Sequence, residues 1–230
     1  MIANNLQSVR DRITTACFAA GRAPSGVKLL AVSKKFSAQA VLDARAAGQF
    51  AYGENYIAEG ADKITALKTH KDLEWHCIGP LQSNKTRLVA EHFDWVQSVD
   101  RLKIAQRLSE QRPPHLAPIQ VCLQVNIDGG SNKSGVTPKE LPELVQLVAK
   151  LPRICLRGLM MIPEPAINFE AACAVYSSAR ALFDQINRAG LAPVPLDTLS
   201  MGMTADLEAA IASGSTMVRV GTAIFGDRLA

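Results

Sequence analysis

The sequence predicts an α/β protein built as a closed barrel of eight parallel strands, each followed by a helix. Short apolar runs alternate with amphipathic segments eight times along the 230 residues. Several of the runs are apolar on both faces, as is typical of parallel strands covered by helices. Eight β/α units is the number that closes such a barrel. An open doubly wound sheet is the main alternative, but no GxGxxG motif follows the first strand.

The apolar runs place the eight strands as follows. They cover residues 27–33, 50–52, 74–78, 95–98, 119–126, 155–160, 196–200 and 217–221. An extra amphipathic helix precedes them, because Leu6, Val9, Ile13 and Cys17 share one face at helical spacing.

The sequence marks one end of each of three helices. Ser37 begins the helix after the first strand, and the helix near residue 205 ends at Ser213 with Gly214 in the left-handed position. Thr137 reads as an N-cap, followed by a proline at the first helical position and by the capping-box residue Glu140.

Composition points to one domain over residues 1–230 and excludes several classes of function. The charge of +4 comes from scattered basic residues, and aromatic residues make up 5% of the chain, so nucleic-acid binding is disfavoured. The five cysteines are an odd number without a CxxC pair, which indicates reduced thiols in a cytoplasmic protein and no zinc site. No segment resembles a signal peptide or a membrane span.

Lys34 is the first candidate for a functional residue. It ends the apolar run of the first strand, directly before a helix, where a parallel α/β protein displays reactive groups. A snorkelling lysine at a strand end is the alternative interpretation. The neighbouring Lys35 is expected to be a solvated surface charge.

The loops after strands seven and eight predict a phosphate site. Barrels commonly bind phosphate there, on backbone N–H groups and a short helix N-terminus. Ser200, Gly202, Gly221 and Thr222 supply hydroxyl groups and backbone without side chains at both loops. Tight turns alone would also account for the glycines.

Two polar residues lie inside apolar strands. Arg219 cannot lose its charge, so it must face a ligand or a structural ion-pair partner. His76 is either a hydrogen-bonded core residue or a group that faces the ligand.

A lysine after strand one, a phosphate cradle after strands seven and eight, and an arginine on strand eight together describe a site for pyridoxal 5′-phosphate (PLP). The sequence resembles the pyridoxal phosphate homeostasis protein family, whose fold is similar to the N-terminal barrel of alanine racemases. The resemblance rests on residues 29–34 (LLAVSK), 53–56 (GENY), 74–85 (EWHCIGPLQSNK), 133–135 (KSG), 157–160 (RGLM), 200–203 (SMGM) and 217–226 (MVRVGTAIFG). Thr204 departs from the serine that is usual in the family, but its hydroxyl can act in the same way.

The resemblance implies a TIM barrel that holds PLP as a Schiff base on Lys34 and serves intracellular vitamin B6 homeostasis with little or no turnover. It also implies a monomer that exchanges PLP with PLP-dependent apoenzymes, with no nucleic-acid or membrane partner. The expected PLP-binding residues are Lys34, Asn55, His76, Met160, Ser200, Gly202, Met203, Thr204, Arg219, Gly221 and Thr222.

Two enzymatic alternatives stay open at this point. A racemase-like enzyme would need a second base, such as His76 or Tyr56, facing the cofactor. Because the sequence stops at Ala230, the tyrosine-bearing second domain of alanine racemases is expected to be absent. A Schiff-base aldolase acting on a sugar phosphate could use the same lysine and cradle without PLP. A visible absorption spectrum and a turnover assay with amino acids would separate these readings.

Overall fold

The structure, a computed structural model, describes residues 1–130 and 134–226 and confirms the closed parallel barrel with an extra N-terminal helix. Each strand pairs in parallel with the next, and β8 returns to β1, where Leu30 is the partner of Arg219. The strands β1 to β8 are Lys28–Val32, Ala51–Glu54, Glu74–Cys77, Trp95–Val99, Ile119–Gln124, Ile154–Met160, Thr198–Ser200 and Met217–Val220. The helices α1 to α9 are Ile2–Ala19, Ala38–Ala46, Ile57–Ala66, Thr86–His92, Leu102–Gln111, Leu141–Val148, Phe169–Arg188, Leu207–Ala212 and Thr222–Phe225. Lys133, part of the 133–135 motif, lies outside the described residues.

Strand β2 is displaced from its predicted position. It runs two residues further than expected, because Gly53 and Glu54 pair with His76 and Cys77 of β3. Hydropathy does not predict that Glu54 is a buried strand residue, since the burial of a glutamate depends on a cation from elsewhere in the chain. The shift places Asn55, not Gly53, at the point where the chain leaves the barrel.

The predicted fifth strand is too long by two residues. The barrel strand ends at Gln124, and Val125 instead pairs in parallel with Val136. The N–H group of Asn126 donates to the Val136 carbonyl at 3.0 Å. The apolar run therefore continues past the barrel because it packs against a returning loop.

The predicted helix ends are present with one difference. Ser37 accepts a hydrogen bond from the N–H of Ala40, and Gly214 has a φ of +94° after the Ser213 cap. Thr137 and Glu140 form the reciprocal capping-box hydrogen bonds, but the α-helix begins only at Leu141, since residues 138–140 form a turn.

Helix α1 buries the predicted face and closes one side of the barrel. Leu6, Val9, Ile13 and Cys17 are all at most 5% exposed. The helix packs against α8 and α9, the two helices that follow strands seven and eight. Its ion pair between Arg12 and Glu208, at 2.9 Å, fixes it to α8, so α1 supports the loops that carry the predicted phosphate site.

The inside of the barrel combines apolar layers with polar side chains. Leu30, Ile78 and Met217 form one buried cluster, and Trp95, Cys122 and Met160 form another. All five cysteines are free thiols. Within the part of the chain that the structure describes, no helix has the length and apolar character needed to cross a membrane.

Candidate functional site

The carboxyl ends of the strands surround an opening of ≈ 410 Å³. Its lining residues are Val32, Lys34, Phe36, Asn55, Ile78, Ile162, Met203, Thr204, Ala205, Arg219, Gly221 and Thr222. Seven of the eleven residues expected from the sequence are among them. Two other grooves are larger. One of ≈ 730 Å³ lies between α1, α7 and α8, and one of ≈ 520 Å³ lies at the amino ends of the strands. Neither contains a residue from the carboxyl end of a strand, so the smaller opening is the candidate site.

Lys34 lies two residues beyond β1 and is half-buried in the wall of the opening. Ser33 before it remains attached to the barrel, because its N–H group donates to the Gly53 carbonyl at 3.1 Å. Lys35 after it has a φ of +65°, a left-handed conformation that residues with side chains rarely adopt. Lys35 is exposed, as expected for a solvated charge. The sharp change of direction at Lys35 leaves Lys34 at the barrel mouth.

A buried ion cluster lies beside this segment. The ammonium group of Lys63, on α3, donates to the Ser33 carbonyl at 2.6 Å, to Glu54 at 2.9 Å and to Glu59 at 2.7 Å. Glu54 is completely buried and also accepts a hydrogen bond from the Ser33 hydroxyl at 2.6 Å. Burial raises the pKa of the Glu54 carboxyl, and the Lys63 charge opposes that shift. The sequence analysis did not identify this cluster, since its members are dispersed over three elements.

The loop after β7 runs along β8, because the N–H group of Arg219 donates to the Gly202 carbonyl at 3.0 Å. Gly202 has a φ of +92°, and a Cβ added there would lie 2.4 Å from the Cβ of Ala210. Glycine is therefore required for both backbone and packing. Asp206 holds the loop by accepting a hydrogen bond from the Met203 N–H at 2.6 Å.

The β8 loop leads directly into α9. Gly221 is the N-cap residue and Thr222, which is exposed, is the first helical residue. The first N–H groups of a helix have no acceptor within it, so they are available to an anion in the opening. A Cβ added to Gly221 would lie 3.1 Å from the Val32 carbonyl, which explains the absence of a side chain at this close approach to β1.

Arg219 is 4% exposed and reaches the opening from inside the barrel. Its guanidinium donates to the carbonyls of Ser200 and Met161, each at 2.8 Å, and to the Ser200 hydroxyl at 2.7 Å. Burial lowers the pKa of Arg219, and the nearby Tyr176 and Asp206 oppose that shift. Among the described residues no carboxylate lies within ion-pair distance of the guanidinium. A structural ion pair, one of the two roles considered for Arg219 from the sequence, is therefore not observed.

Beneath Arg219, a chain of hydrogen bonds crosses the barrel. The Ser200 hydroxyl donates to Gln97 at 2.7 Å, and the Gln97 amide bonds to Nδ1 of His76 at 2.9 Å. Nε2 of His76 contacts Glu74 at 2.5 Å, at the amino end of β3. Burial lowers the pKa of His76, and the hydrogen bond to Glu74 opposes that shift. A neutral ring that donates to Glu74 and accepts from Gln97 satisfies every bond in this chain.

The chain changes the interpretation of four expected site residues. His76, Met160, Ser200 and Gly202 are buried and do not line the opening. Both nitrogens of His76 are engaged, and its ring stacks on Trp95 with centroids 5.0 Å apart. The proton of the Ser200 hydroxyl is directed to Gln97 and not to the opening. Direct contact of these four residues with a ligand stays a prediction that this geometry does not favour.

The opening also has features that the sequence analysis missed. Five further residues line it: Val32, Phe36, Ile78, Ile162 and Ala205. Phe36 stacks on Phe225 of α9, with centroids 5.1 Å apart. Ile78 could have been found, because it follows His76 by two residues and so points to the same face of its strand. Ile162 lies in a loop without regular secondary structure, so no periodicity marks it.

The fold and this opening define a class: a (β/α)8 barrel with a lysine after its first strand, facing the loops of strands seven and eight. The family model "Alanine racemase, N-terminal domain" matches residues 2–229. A "Pyridoxal phosphate homeostasis protein" from Pseudomonas aeruginosa is 55% identical over 227 residues, covering 99% of this chain and 96% of that protein. One from Vibrio cholerae is 52% identical over 231 residues, with the same coverage. The chain therefore belongs to the alanine racemase N-terminal domain family and, within it, to the pyridoxal phosphate homeostasis proteins.

Solved structures agree with this assignment. PipY from Synechococcus elongatus PCC7942 without PLP has a TM-score of 0.87 and 37% identity, covering 98% of this chain and all of that one. PipY with PLP bound has a TM-score of 0.85 and 36% identity at the same coverage. The resemblance stated from the sequence motifs is thus confirmed.

Proposed function

We propose that this protein binds PLP in the opening, holds it as a Schiff base on Lys34, and serves vitamin B6 homeostasis with little or no catalytic turnover. One observation carries the proposal: Lys34, Arg219 and the β7 and β8 loops line a single opening. The relatives named for pyridoxal phosphate homeostasis, and PipY, whose structure contains PLP, support it.

The opening fits such a cofactor in size and in its donor set. Its volume of ≈ 410 Å³ lies within the range of about 300–1,000 Å³ usual for small-molecule sites. Asn55 presents a buried side-chain oxygen without a hydrogen-bond partner. A buried polar atom of this kind ordinarily has a partner, and a ligand hydroxyl in the opening would supply one.

Different residues of the opening bind different parts of the cofactor in this proposal. When bound, PLP supplies an aldehyde that condenses with a primary amine and releases water. Lys34 provides that amine, and the backbone N–H groups at Gly221 and Thr222, with the Thr204 and Thr222 hydroxyls, bind the phosphate. Arg219 lies on the adjacent strand β8 and would face the pyridine nitrogen. The apolar side chains of Val32, Phe36, Ile78 and Ile162 exclude water from the ring.

Little turnover is expected because the opening lacks a second acid or base. Among the described lining residues there is no histidine, tyrosine, cysteine or carboxylate. His76, the base required by the racemase alternative, is buried below and bonded at both nitrogens. Tyr56, the other candidate, is 50% exposed and does not line the opening. The cationic Arg219 also disfavours protonation of the pyridine nitrogen, which weakens the ring as an electron sink.

The phosphate is expected to dominate noncovalent affinity. Charge-assisted hydrogen bonds contribute about 1.5–3 kcal/mol each, so pyridoxal should bind at least about tenfold more weakly than PLP. Thr222→Val, which removes one exposed hydroxyl, should weaken PLP binding and leave pyridoxal binding unchanged. Absorption titrations with both ligands measure this. Equal affinities of the parent protein for PLP and pyridoxal would exclude the phosphate site.

We propose further that the protein is a monomer that delivers PLP to PLP-dependent apoenzymes. The half-buried position of Lys34 at the mouth of the opening supports exchange, since water or an amine can reach it. Incubating the PLP-loaded protein with an apoenzyme should restore that enzyme's activity faster than spontaneous release into buffer does. Light scattering measures the oligomeric state, and a stable dimer would contradict the second part of this proposal.

A further inference from the structure

The burial of Lys63 is not explained by a gain in folding stability. Its side chain is 7% exposed, and its partner Glu54 is fully buried. Buried ion pairs gain little over apolar residues of the same volume, because the desolvation of both charges offsets their attraction. One oxygen of Glu54 has no hydrogen-bond partner, so the carboxylate is not even fully satisfied. The cluster must therefore be explained by what it holds.

It holds the backbone on both sides of Lys34. On one side, Lys63 binds the Ser33 carbonyl at 2.6 Å. On the other side, Glu59, bonded to Lys63 at 2.7 Å, accepts a hydrogen bond from the Lys35 N–H at 2.6 Å.

The Ser33 side chain adds a further attachment, because its hydroxyl donates to Glu54 at 2.6 Å. The three donors of an ammonium group are all used in this arrangement, so Lys63 has one defined position. The left-handed φ of Lys35, +65°, is an unfavourable conformation that persists only where surrounding contacts impose it. Glu59 supplies such a contact at that residue.

We propose that Lys63, acting with Glu54 and Glu59, is a positioning residue for Lys34. By fixing Ser33 and Lys35, the cluster directs the Lys34 amine into the opening at the place where a ligand aldehyde is attacked. The inference rests on the proposed function, and it assigns to the cluster the covalent step alone. The phosphate contacts and Arg219, which come from β8 and from the loops after β7 and β8, do not depend on it.

A comparison of two ligands tests this. The double variant Lys63→Met/Glu54→Gln removes both buried charges together and retains an acceptor for the Ser33 hydroxyl. The rate at which the visible band of PLP appears should fall about tenfold or more, because small displacements of a reacting group cost factors of this size. Pyridoxine 5′-phosphate has the same ring and phosphate but no aldehyde, and its affinity should change by less than about twofold, since it relies only on the noncovalent contacts.

Arg112→Met is the matched control. Arg112 is 4% exposed and holds the carbonyls of Ala90, Phe93 and Ala117, all remote from the opening. Like Lys63, Arg112 is a buried cation with three hydrogen-bond acceptors. Its replacement should leave the rate at which the PLP band appears unchanged. Glu59→Gln, at a half-buried position, provides a second variant with little risk to folding and should slow the reaction in the same direction.

The outcomes separate the two proposals. Equal losses for PLP and pyridoxine 5′-phosphate would show that the cluster is only structural and overturn the positioning role. An unchanged PLP rate in both the double variant and Glu59→Gln would overturn it as well. Failure of the parent protein to bind pyridoxine 5′-phosphate would instead contradict the proposed binding of the ring and phosphate.

Discussion

Replacing Lys34 by alanine is expected to abolish the covalent attachment of PLP. No other lysine among the described lining residues reaches the opening, so no second amine can take its place. The visible band of the bound form should be lost, and borohydride reduction should leave no modified peptide. Absorption spectroscopy and mass spectrometry of proteolytic peptides measure the two effects.

Two single variants serve as controls for this experiment. Lys35→Ala removes the exposed neighbour, and Lys85→Ala removes the lysine of the 74–85 motif, in the short helical turn after β3. Both should retain the band and the modified Lys34 peptide. A tag that remains in Lys34→Ala and maps to Lys35 or Lys85 would contradict the assignment.

The position of Lys34 could be predicted because it depends on local sequence alone. A buried parallel strand ends there, and the carboxyl ends of all barrel strands meet at one face. The same reasoning located Gly221 and Thr222 after β8. Here the order of elements along the chain suffices to place a residue in space.

The environment of Lys34 could not be predicted in the same way. Lys63 belongs to helix α3, where Asp62 and Thr65 are exposed, and a lysine in such a helix is ordinarily expected to be a solvated charge. Its burial follows from the meeting of α3 with the ends of β1 and β2. Pairing of charges across elements is a property of the tertiary structure and leaves no periodic signal.

His76 illustrates a different limit. The sequence correctly placed it in a buried strand, but could not determine its height within the barrel. The structure shows it one layer below the opening, between Glu74 and Gln97. Ile78, two positions further along and just past the end of β3, reaches the opening instead. Height depends on strand stagger, which a single sequence does not report.

The chain through His76 connects Arg219 to the opposite end of the barrel. Ser200 accepts from Arg219 and so must donate to Gln97, which fixes the orientation of the glutamine amide. The pKa of Glu74 is lowered because the hydrogen bonds from His76 and Lys28 outweigh the effect of burial. Glu74 is therefore ionised at neutral pH, and its charge favours donation along the chain toward β3.

Replacing Arg219 by glutamine is expected to make the spectrum of bound PLP depend on pH. If Arg219 faces the pyridine nitrogen, as proposed, its charge lowers the pKa of that nitrogen, which should then be unprotonated at neutral pH in the parent protein. Without the cation its pKa rises toward neutrality, and the ring should gain a proton as the pH falls from about 8 to about 6. Spectra recorded across this range measure the change, while those of the parent should stay constant.

The choice of substitution follows from the contacts of Arg219. A glutamate would place a carboxylate against the carbonyl oxygens of Ser200 and Met161, which accept hydrogen bonds from the guanidinium. Glutamine is neutral and can still donate, but each buried acceptor left without a donor costs about 1–3 kcal/mol of folding free energy. Thermal unfolding must therefore show that the variant is folded before its spectra are compared. Arg219→Lys keeps the positive charge and should keep the constant spectrum. If folded Arg219→Gln instead has the same pH-independent spectrum as the parent, Arg219 does not face the ring nitrogen, and its role is to hold β8 to the end of β7 and to Met161 after β6.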